Sequence, residues 1–514
     1  MTKRISIKAL LGIVIFLLFS RGSFPAWGDT TYALESTQGL LRFSFEELRL
    51  PQDEKMGLMG GAFLYDINRW FAMGLGSYGA ITGERGGFIT LGIAAELKRV
   101  LNDHLDLNSG LFVGAGGGRG GFTLQGGGLM LRPHLGVSLK TGEWGDVGFG
   151  FSHVRFPNGN IRSTQPYLLY AFPFELYISQ AWIDKPTFTQ EADQALPAAE
   201  REISAVYRRY QVPSGVATDG GKPQYSSLDL MGVEWVLALE NNLFLKLESE
   251  GAMGGRSNGY MQILVGGGYR LKLSEATFAK IATQVGVAGG GSVSTGGGFI
   301  YDISLGLQQY VTDALYLGLS GGFVDAPDGR FKATSYSLQL GTRYGVPIVQ
   351  HEPKRLSSLS DYEWRHLRLR VTHQTYIEGR STWRSHHADE SVDLLGIQMD
   401  YFIGENIYLN GQGIGAYDGN AGGYMTGLWG LGYHLPISNT PVFLDLEGLL
   451  GAAGGGGLDV AGGLVWQGNI GLGYRLSESL ALIGSAGYMS APKGNFRAKL
   501  FGLSLAYHFT LFTK

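Results

Sequence analysis

The sequence predicts an all-β protein: a transmembrane antiparallel up-and-down β-barrel architecture in three eight-strand units. Three observations support this prediction. Apolar and polar residues alternate with period two over about eight segments in each unit. A seven-residue element with a Pro-x-Gly core occurs three times. Beyond the first residues, no stretch approaches the roughly 18 apolar residues of a membrane-spanning helix.

The N-terminus has the pattern of a secretory signal. Basic residues (Lys3, Arg4) precede an apolar run at 9–19, which is too short for a bilayer-spanning helix, and a small-x-small cleavage site ends at Gly28. We therefore expect a signal peptide over 1–28 and export in a Gram-negative cell.

Composition narrows the function classes. Removing residues 1–28 takes away four basic residues, which lowers the net charge from -3 to -7 and argues against non-specific binding of nucleic acid. The absence of cysteine (0 of 514 residues) excludes a disulfide-stapled secreted scaffold. The 82 glycines with only 16 prolines fit strands with tight turns and close backbone approaches better than a flexible linker.

The Pro-x-Gly element defines a repeat. Its prolines lie 170 and 165 residues apart, and a cluster of three glycines precedes each element. Two features that share one long period indicate a triplicated unit of domain size. The three copies are Phe156-Pro157-Asn158-Gly159-Asn160-Ile161-Arg162, Ala326-Pro327-Asp328-Gly329-Arg330-Phe331-Lys332 and Ala491-Pro492-Lys493-Gly494-Asn495-Phe496-Arg497.

The alternation also indicates which face meets lipid. In the last strand, Phe501, Leu503 and Tyr507 share one face, whereas Gly502 and Ser504 share the other. Faces of Gly, Ser, Ala and Gln suit a narrow interior, and apolar faces that end in Tyr or Phe suit a membrane exterior with aromatic girdles. In the second unit the predicted strands are 203–211, 227–239, 243–252, 260–273, 277–288, 299–311, 314–324 and 332–346.

Short turns alternate with longer Gly-rich loops along the chain, as in up-and-down outer-membrane barrels. With the signal peptide and the aromatic-rich final strand (Tyr507-His508-Phe509), the mature chain resembles the family of small eight-stranded outer-membrane barrels in three tandem copies. Members of that family typically end on Phe or Trp, whereas here Thr513 and Lys514 follow Phe512. The resemblance implies an outer-membrane location and assembly by the barrel-assembly machinery.

Two closures fit the strand pattern. Proline-containing segments without alternation at 183–202 and 347–362 read as linkers, which gives barrel units at 29–182, 203–346 and 363–514. The alternative is one barrel of about 24 strands, whose wide lumen would need large charged side chains or a plug. Gly-rich inward faces favour three narrow barrels.

The repeated turn is the main candidate site. Turn chemistry alone explains proline, which presets φ, and glycine, for which we expect a positive φ. The basic residue that follows is not needed by the turn and suggests contact with an anionic lipid or glycan. The candidate residues are Pro157, Gly159, Arg162, Pro327, Gly329, Lys332, Pro492, Gly494 and Arg497.

Other motifs have structural interpretations. The glycine clusters lack the following Lys-Ser/Thr and helix of a phosphate loop, so they indicate strands whose backbones approach closely. The loop 380–390 holds Arg384, His386 and His387, and a solvated charged loop is favoured there over a metal site.

Ser152-His153 invites comparison with lipid A deacylases, which are membrane barrels that use Ser and His. Adjacent residues on one strand point to opposite faces, and the equivalent positions in the other units are Gly322-Phe323 and Gly487-Tyr488. We therefore expect no catalytic residue, cofactor or metal.

The expected function is a structural, adhesive or narrow-pore role at the cell surface. Its expected partners are outer-membrane lipid, lipopolysaccharide and the barrel-assembly machinery. A wide export or uptake channel and a lipid-modifying enzyme are the alternatives, and they require a 24-strand closure and a strand-borne nucleophile respectively.

Overall fold

A computed structural model describes residues 36–142, 145–179, 182, 198–347 and 363–513 of the chain. Within these residues the protein forms 24 antiparallel strands that belong to one compact unit. In the part of the chain so described, no helix has the length and apolar character needed to cross a bilayer. The predicted signal peptide and most of both predicted linkers lie outside the described residues.

The first barrel closes by pairing of its first and last strands, with Gly39 opposite Phe174 and Phe45 opposite Leu168. One short helix, α1 (Gly121–Gln125), lies in the loop between its fifth and sixth strands. Its strands are β1 (Ser36–Arg49), β2 (Lys55–Asn68), β3 (Phe71–Gly83), β4 (Ile89–Asn102), β5 (Leu105–Gly117), β6 (Leu129–Lys140), β7 (Asp146–Arg155) and β8 (Arg162–Ser179).

The second barrel closes in the same way, with Gln211 opposite Thr334 and Ile203 opposite Thr342. Its first strand begins at Ala198, inside the segment that the sequence suggested as a linker. Its strands are β9 (Ala198–Gln211), β10 (Ser227–Ala238), β11 (Leu243–Gly254), β12 (Met261–Lys272), β13 (Thr277–Gly289), β14 (Phe299–Tyr310), β15 (Leu315–Asp325) and β16 (Lys332–Pro347).

The third barrel closes with Leu367 opposite Phe509 and Thr375 opposite Phe501. Its strands are β17 (Glu363–Glu378), β18 (Val392–Phe402), β19 (Ile407–Asp418), β20 (Met425–Pro436), β21 (Val442–Gly454), β22 (Leu464–Arg475), β23 (Leu480–Ser490) and β24 (Arg497–Thr513). The end of β8 also pairs with β24 at Ser179–Thr510 and Ile178–Leu511. This short bridge opens neither barrel, since β1–β8 and β17–β24 stay paired.

The predicted fold class is therefore confirmed: the chain forms three closed eight-strand barrels. The alternative of one barrel with about 24 strands is wrong, because each group of eight strands satisfies its own edges. In the second unit, the predicted strands differ from the observed ones by five residues at the start of β9 and by at most two elsewhere. Strict period-two alternation is what fixed these boundaries.

The apolar face of the strands points outward. On β16, Tyr336, Leu338 and Leu340 have 56%, 47% and 59% of their surface exposed, whereas Ser337 and Gln339 between them are buried. The other two closing strands follow the same rule, with Leu168 and Phe501 exposed. A soluble sheet protein would bury this face, so the molecule carries an apolar exterior around polar interiors.

Candidate functional site

The interior of the first barrel is filled by ion pairs. Arg132, which is completely buried, donates to Glu46 at 2.6 Å. Glu46 also accepts from Gln165 at 3.0 Å. Arg42 pairs with Glu96 and donates to the imidazole of His134 at 2.9 Å. These contacts span the barrel from β1 to β6, so the side chains bridge opposite walls.

The second barrel has the same design with different residues. Arg208 on β9 contacts Glu248 and lies 2.9 Å from Glu250 and 3.4 Å from Asp302. Lys246 lies 2.9 Å from Glu248. A cavity of about 40 Å³ beside Lys246 has room for a few water molecules at most.

In the third barrel two arginines on β17 hold the network. Arg368 contacts Asp400 at 2.6 Å and Asp445 at 2.9 Å. Arg370 contacts Asp400 at 2.6 Å and Glu447 at 2.8 Å. The sequence showed these residues as isolated charges on small-residue faces. It could not show that they meet across the lumen and fill it.

At the loop end, each lumen is closed by the repeated Pro-x-Gly turn, which we call the lid. The apolar residue of the lid is buried in all three barrels: Ile161, Phe331 and Phe496 are at most 1% exposed. In the second barrel the Phe331 ring packs 5.7 Å from Tyr210 and 5.9 Å from Tyr260. The apolar residue thus gives the element a packing role that sequence analysis did not predict.

The lids are also tied to the neighbouring loop by backbone hydrogen bonds. The amide of Asn160 donates to Leu124 at 2.9 Å in the first barrel. Arg330 donates likewise to Ser294, and Phe496, one position later in its lid, donates to Asp459, each at 2.9 Å. The lid is therefore bound to the loop that follows the fifth strand in every barrel.

One expectation for the lid is wrong. Gly159, Gly329 and Gly494 do not adopt a positive φ. Glycine is needed instead because a Cβ there would collide with the neighbouring loop: at Gly329 it would meet the carbonyl oxygen of Ser294 and lie 2.8 Å from the Thr295 backbone. Glycine is therefore required by the close approach of the neighbouring loop and not by its own backbone conformation.

Gly329→Ala should therefore loosen the second lid. We expect a loss of about 1–3 kcal/mol, because the neighbouring backbone must shift to admit the methyl group. Thermal unfolding followed by circular dichroism in detergent measures the loss. Gly220→Ala is the matched control, since its Cβ would lie in open space in the same barrel. Equal melting of the two variants would contradict the close-approach explanation.

The basic residues after the lids differ in their contacts. Arg497 donates to carbonyl groups of its own lid, at 2.6 Å to Ala491 and 2.7 Å to Phe496. Arg162 and Lys332 are exposed, and no side-chain hydrogen bond or ion pair joins them to another described residue. Anion contact at the nine lid residues stays a prediction.

Sequence analysis missed Trp182, which follows the first barrel but packs in the third. Its indole N–H donates to the carbonyl of Leu367 at 2.9 Å. Its ring stacks on His508 at 4.2 Å and meets Phe402 at 4.7 Å, near the short turn after β18. A lone tryptophan just outside a predicted strand was the only available signal.

One type of strand contact recurs between all three pairs of barrels. The third strand of each barrel meets the fifth strand of another: β3 meets β13, β11 meets β21, and β19 meets β5. One interface type, used head to tail three times, closes a ring. We call these three contact zones the seams.

Small outward residues allow the seams. A Cβ on Gly79 would lie 2.8 Å from Val287, one on Gly251 would lie 2.9 Å from the Cβ of Ala452, and one on Gly415 would lie 2.8 Å from the Ala115 backbone. At the loop end of each seam, the glycine cluster of one barrel contacts the loop that follows the third strand of another barrel. There the amide of Gly423 donates to Gly116 at 3.1 Å, and that of Gly86 donates to Gly296 at 2.9 Å. The expected close backbone approach is thus an approach between barrels.

The remaining candidates do not form sites. Ser152 lies inside the first barrel, bonded to Glu46 and to Gln165, whereas His153 on the outer face lies 2.7 Å from Thr164. Ser152 and His153 are therefore not brought together. In the loop 380–390, Arg384 is buried and donates to carbonyl groups. Among the described residues, no three His, Asp or Glu side chains are grouped as metal ligands would be.

Comparisons with known proteins are weak. No protein-family model and no curated protein matches the chain. Solved outer-membrane proteins align over 93% of it: OpdQ of Pseudomonas aeruginosa at 10% identity (98% of that chain, TM-score 0.21) and OccAB3 of Acinetobacter baumannii at 11% identity (100% of that chain, TM-score 0.20). A ferric enterobactin receptor mutant of P. aeruginosa aligns at 10% identity over 82% of its length, with a TM-score of 0.27. At such scores the likeness supports no argument about architecture or function.

Proposed function

We propose that the protein is an integral outer-membrane protein with a structural or adhesive surface role, and that it forms no open channel. The observation that carries this proposal is the combination of an apolar exterior with filled interiors. Side chains such as Leu340 and Phe501 face outward, whereas Arg132, Arg208 and Arg368 are fully buried in ion-pair networks. Only closed barrels or helices satisfy their backbone groups in lipid, and all three barrels are closed.

Several features of the lumens argue against conduction. The lids bury an apolar residue at the loop end of each barrel, and Trp182 packs against the third barrel near its short turns. Charged side chains bridge the walls between these ends. Conduction of ions or solutes would require an open path, as in wide porin barrels.

The proposal predicts an electrically silent protein. Mature full-length chain, purified in detergent and added to planar lipid bilayers in potassium chloride, should produce no conductance steps at potentials where a trimeric porin control opens. Uniform steps from the purified chain would overturn the closed-lumen proposal. Recovery of the native protein in the soluble fraction without detergent would overturn the membrane location.

Neither alternative is supported by a specific observation. A wide conduit needs the 24-strand closure, which the pairing excludes. An enzyme of the deacylase kind would pair Ser152 with His153, and these two residues lie on opposite faces of β7.

A further inference from the structure

The outer wall of the third barrel carries a groove of about 520 Å³. Its floor is formed by Gly448, Gly468 and Ala486 on three neighbouring strands, and its sides include Ile470 and Tyr488. Gly448 and Gly468 are direct register partners on β21 and β22. A Cβ on Gly448 would meet nothing within 4 Å, so here, unlike in the seams, no neighbouring backbone requires glycine.

The other two barrels lack the paired glycines in the floor of this groove. Gly448 lies six residues before the final glycine of its strand, and the residues in that position on β5 and β13 are Leu111 and Thr283. Their register partners, equivalent to Gly468, are Pro133 and Ile303. Paired glycines at this point of the wall therefore occur in one repeat of three.

The chemistry of the groove selects a hydrocarbon occupant. Its outward side chains are apolar, and the polar groups at its floor belong to the interior residues Glu447 and Asn469. These two are bonded to each other at 3.1 Å, and Glu447 also contacts Arg370 at 2.8 Å. The groove therefore offers mainly apolar surface, and the carboxylate of Glu447 beneath it is already paired with Asn469 and Arg370.

An exposed cation lies beside the groove. Lys499 on β24 is the register partner of Tyr488, which forms one side of the groove. Among the described residues, the side chain of Lys499 has no hydrogen-bond or ion-pair partner. The equivalent residues, two positions after the basic residue of each lid, are Thr164 and Thr334. The added cation and the paired glycines thus occur in the same barrel.

We propose that this groove holds an acyl chain of an anionic lipid whose phosphate contacts Lys499. The hydrocarbon would cover the glycine floor, and the ammonium group would attract the head group at the membrane surface. The inference rests on the proposed membrane location. It adds a specific lipid site, confined to the third barrel, to an otherwise general lipid contact.

Native mass spectrometry of the full-length mature protein in detergent tests the site. The probes are dioleoyl phosphatidylglycerol, dioleoyl phosphatidylcholine and inorganic phosphate. We expect one phosphatidylglycerol bound in preference to phosphatidylcholine, and no binding of inorganic phosphate alone. Gly448→Thr with Gly468→Ile introduces the residues of the second barrel, which that wall already accommodates, and should weaken binding at least about tenfold by removing apolar contact.

Lys499→Thr distinguishes the contribution of the lipid head group to binding from that of the acyl chain. It should abolish the preference for phosphatidylglycerol over phosphatidylcholine while leaving tail binding. Lys222→Thr is the control, since it removes an exposed cation from a loop of the second barrel, outside the lids, and should leave this preference unchanged. Heat-dependent mobility on gels verifies that each variant is folded.

Three results would overturn the site. The first is equal phosphatidylglycerol binding by wild type and the filled-groove variant. The second is displacement of the lipid by inorganic phosphate, which would reduce the site to a free anion site. The third is loss of self-association in the filled-groove variant without a change in lipid binding, which would identify a second copy as the occupant. Fractionation of the native protein, tested separately, decides the membrane location whatever the lipid result.

Discussion

Gly454→Val is expected to separate the second and third barrels while leaving each barrel closed. A Cβ at Gly454 would fall on the backbone of Gly259 in the second barrel, where no flexible side chain can move aside. Overpacking of this kind costs about 3 kcal/mol at the upper end of its usual range, and here the strain falls on the seam. Differential scanning calorimetry in detergent should then show a separate transition at lower temperature.

Gly448→Val is the matched control for this experiment. It lies six residues earlier on the outward face of the same strand, where an added Cβ meets open space. The control should melt like the wild type, since the two variants add the same side chain to the same strand. Equal destabilisation by both substitutions would show that strand propensity, rather than the seam, determines the result.

Arg368→Met should strongly destabilise the third barrel. Arg368 is completely buried and contacts both Asp400 and Asp445. Its removal leaves two buried carboxylates to share Arg370, and breaking a buried ion pair from one side costs about 3–5 kcal/mol. Equilibrium unfolding in guanidinium chloride with detergent measures this loss.

Arg209→Met provides the comparison. Arg209 contacts Asp229 at 2.7 Å, but 51% of its side-chain surface is exposed. Solvent screens such a pair, so its loss should cost no more than about 1 kcal/mol. If the two variants unfolded alike, the interior network would have no special role in stability.

The strands and their order were largely predictable from sequence because they depend on local alternation, whereas alternation alone fits both closures. Residues such as Leu338 and Gln339 alternate on a scale that a sequence displays directly, and small inward residues favour narrow barrels. The lid glycines show what could not be predicted from the sequence. Turn chemistry led to a positive φ at Gly329, whereas the real constraint is a loop more than thirty residues away along the chain.

The missed contacts share one physical cause: they join residues that are far apart in sequence. Arg368 reaches Asp445 across a lumen, and Trp182 reaches His508 in another repeat. The seams were hidden for a different reason, because glycine at positions such as Gly79 signals only the absence of a side chain. The sequence does not show which residue of another barrel packs beside such a glycine.

The ring of barrels is built into a single polypeptide, which changes what variation it can tolerate. In an assembly of three identical chains, every substitution is copied to all three positions. Here the pair Gly448 and Gly468 occurs once, as does Lys499 beside Tyr488. Because the three repeats are covalently fused, one barrel can acquire a binding site on its outer wall through its own substitutions. The other two barrels keep their walls and their seams unchanged.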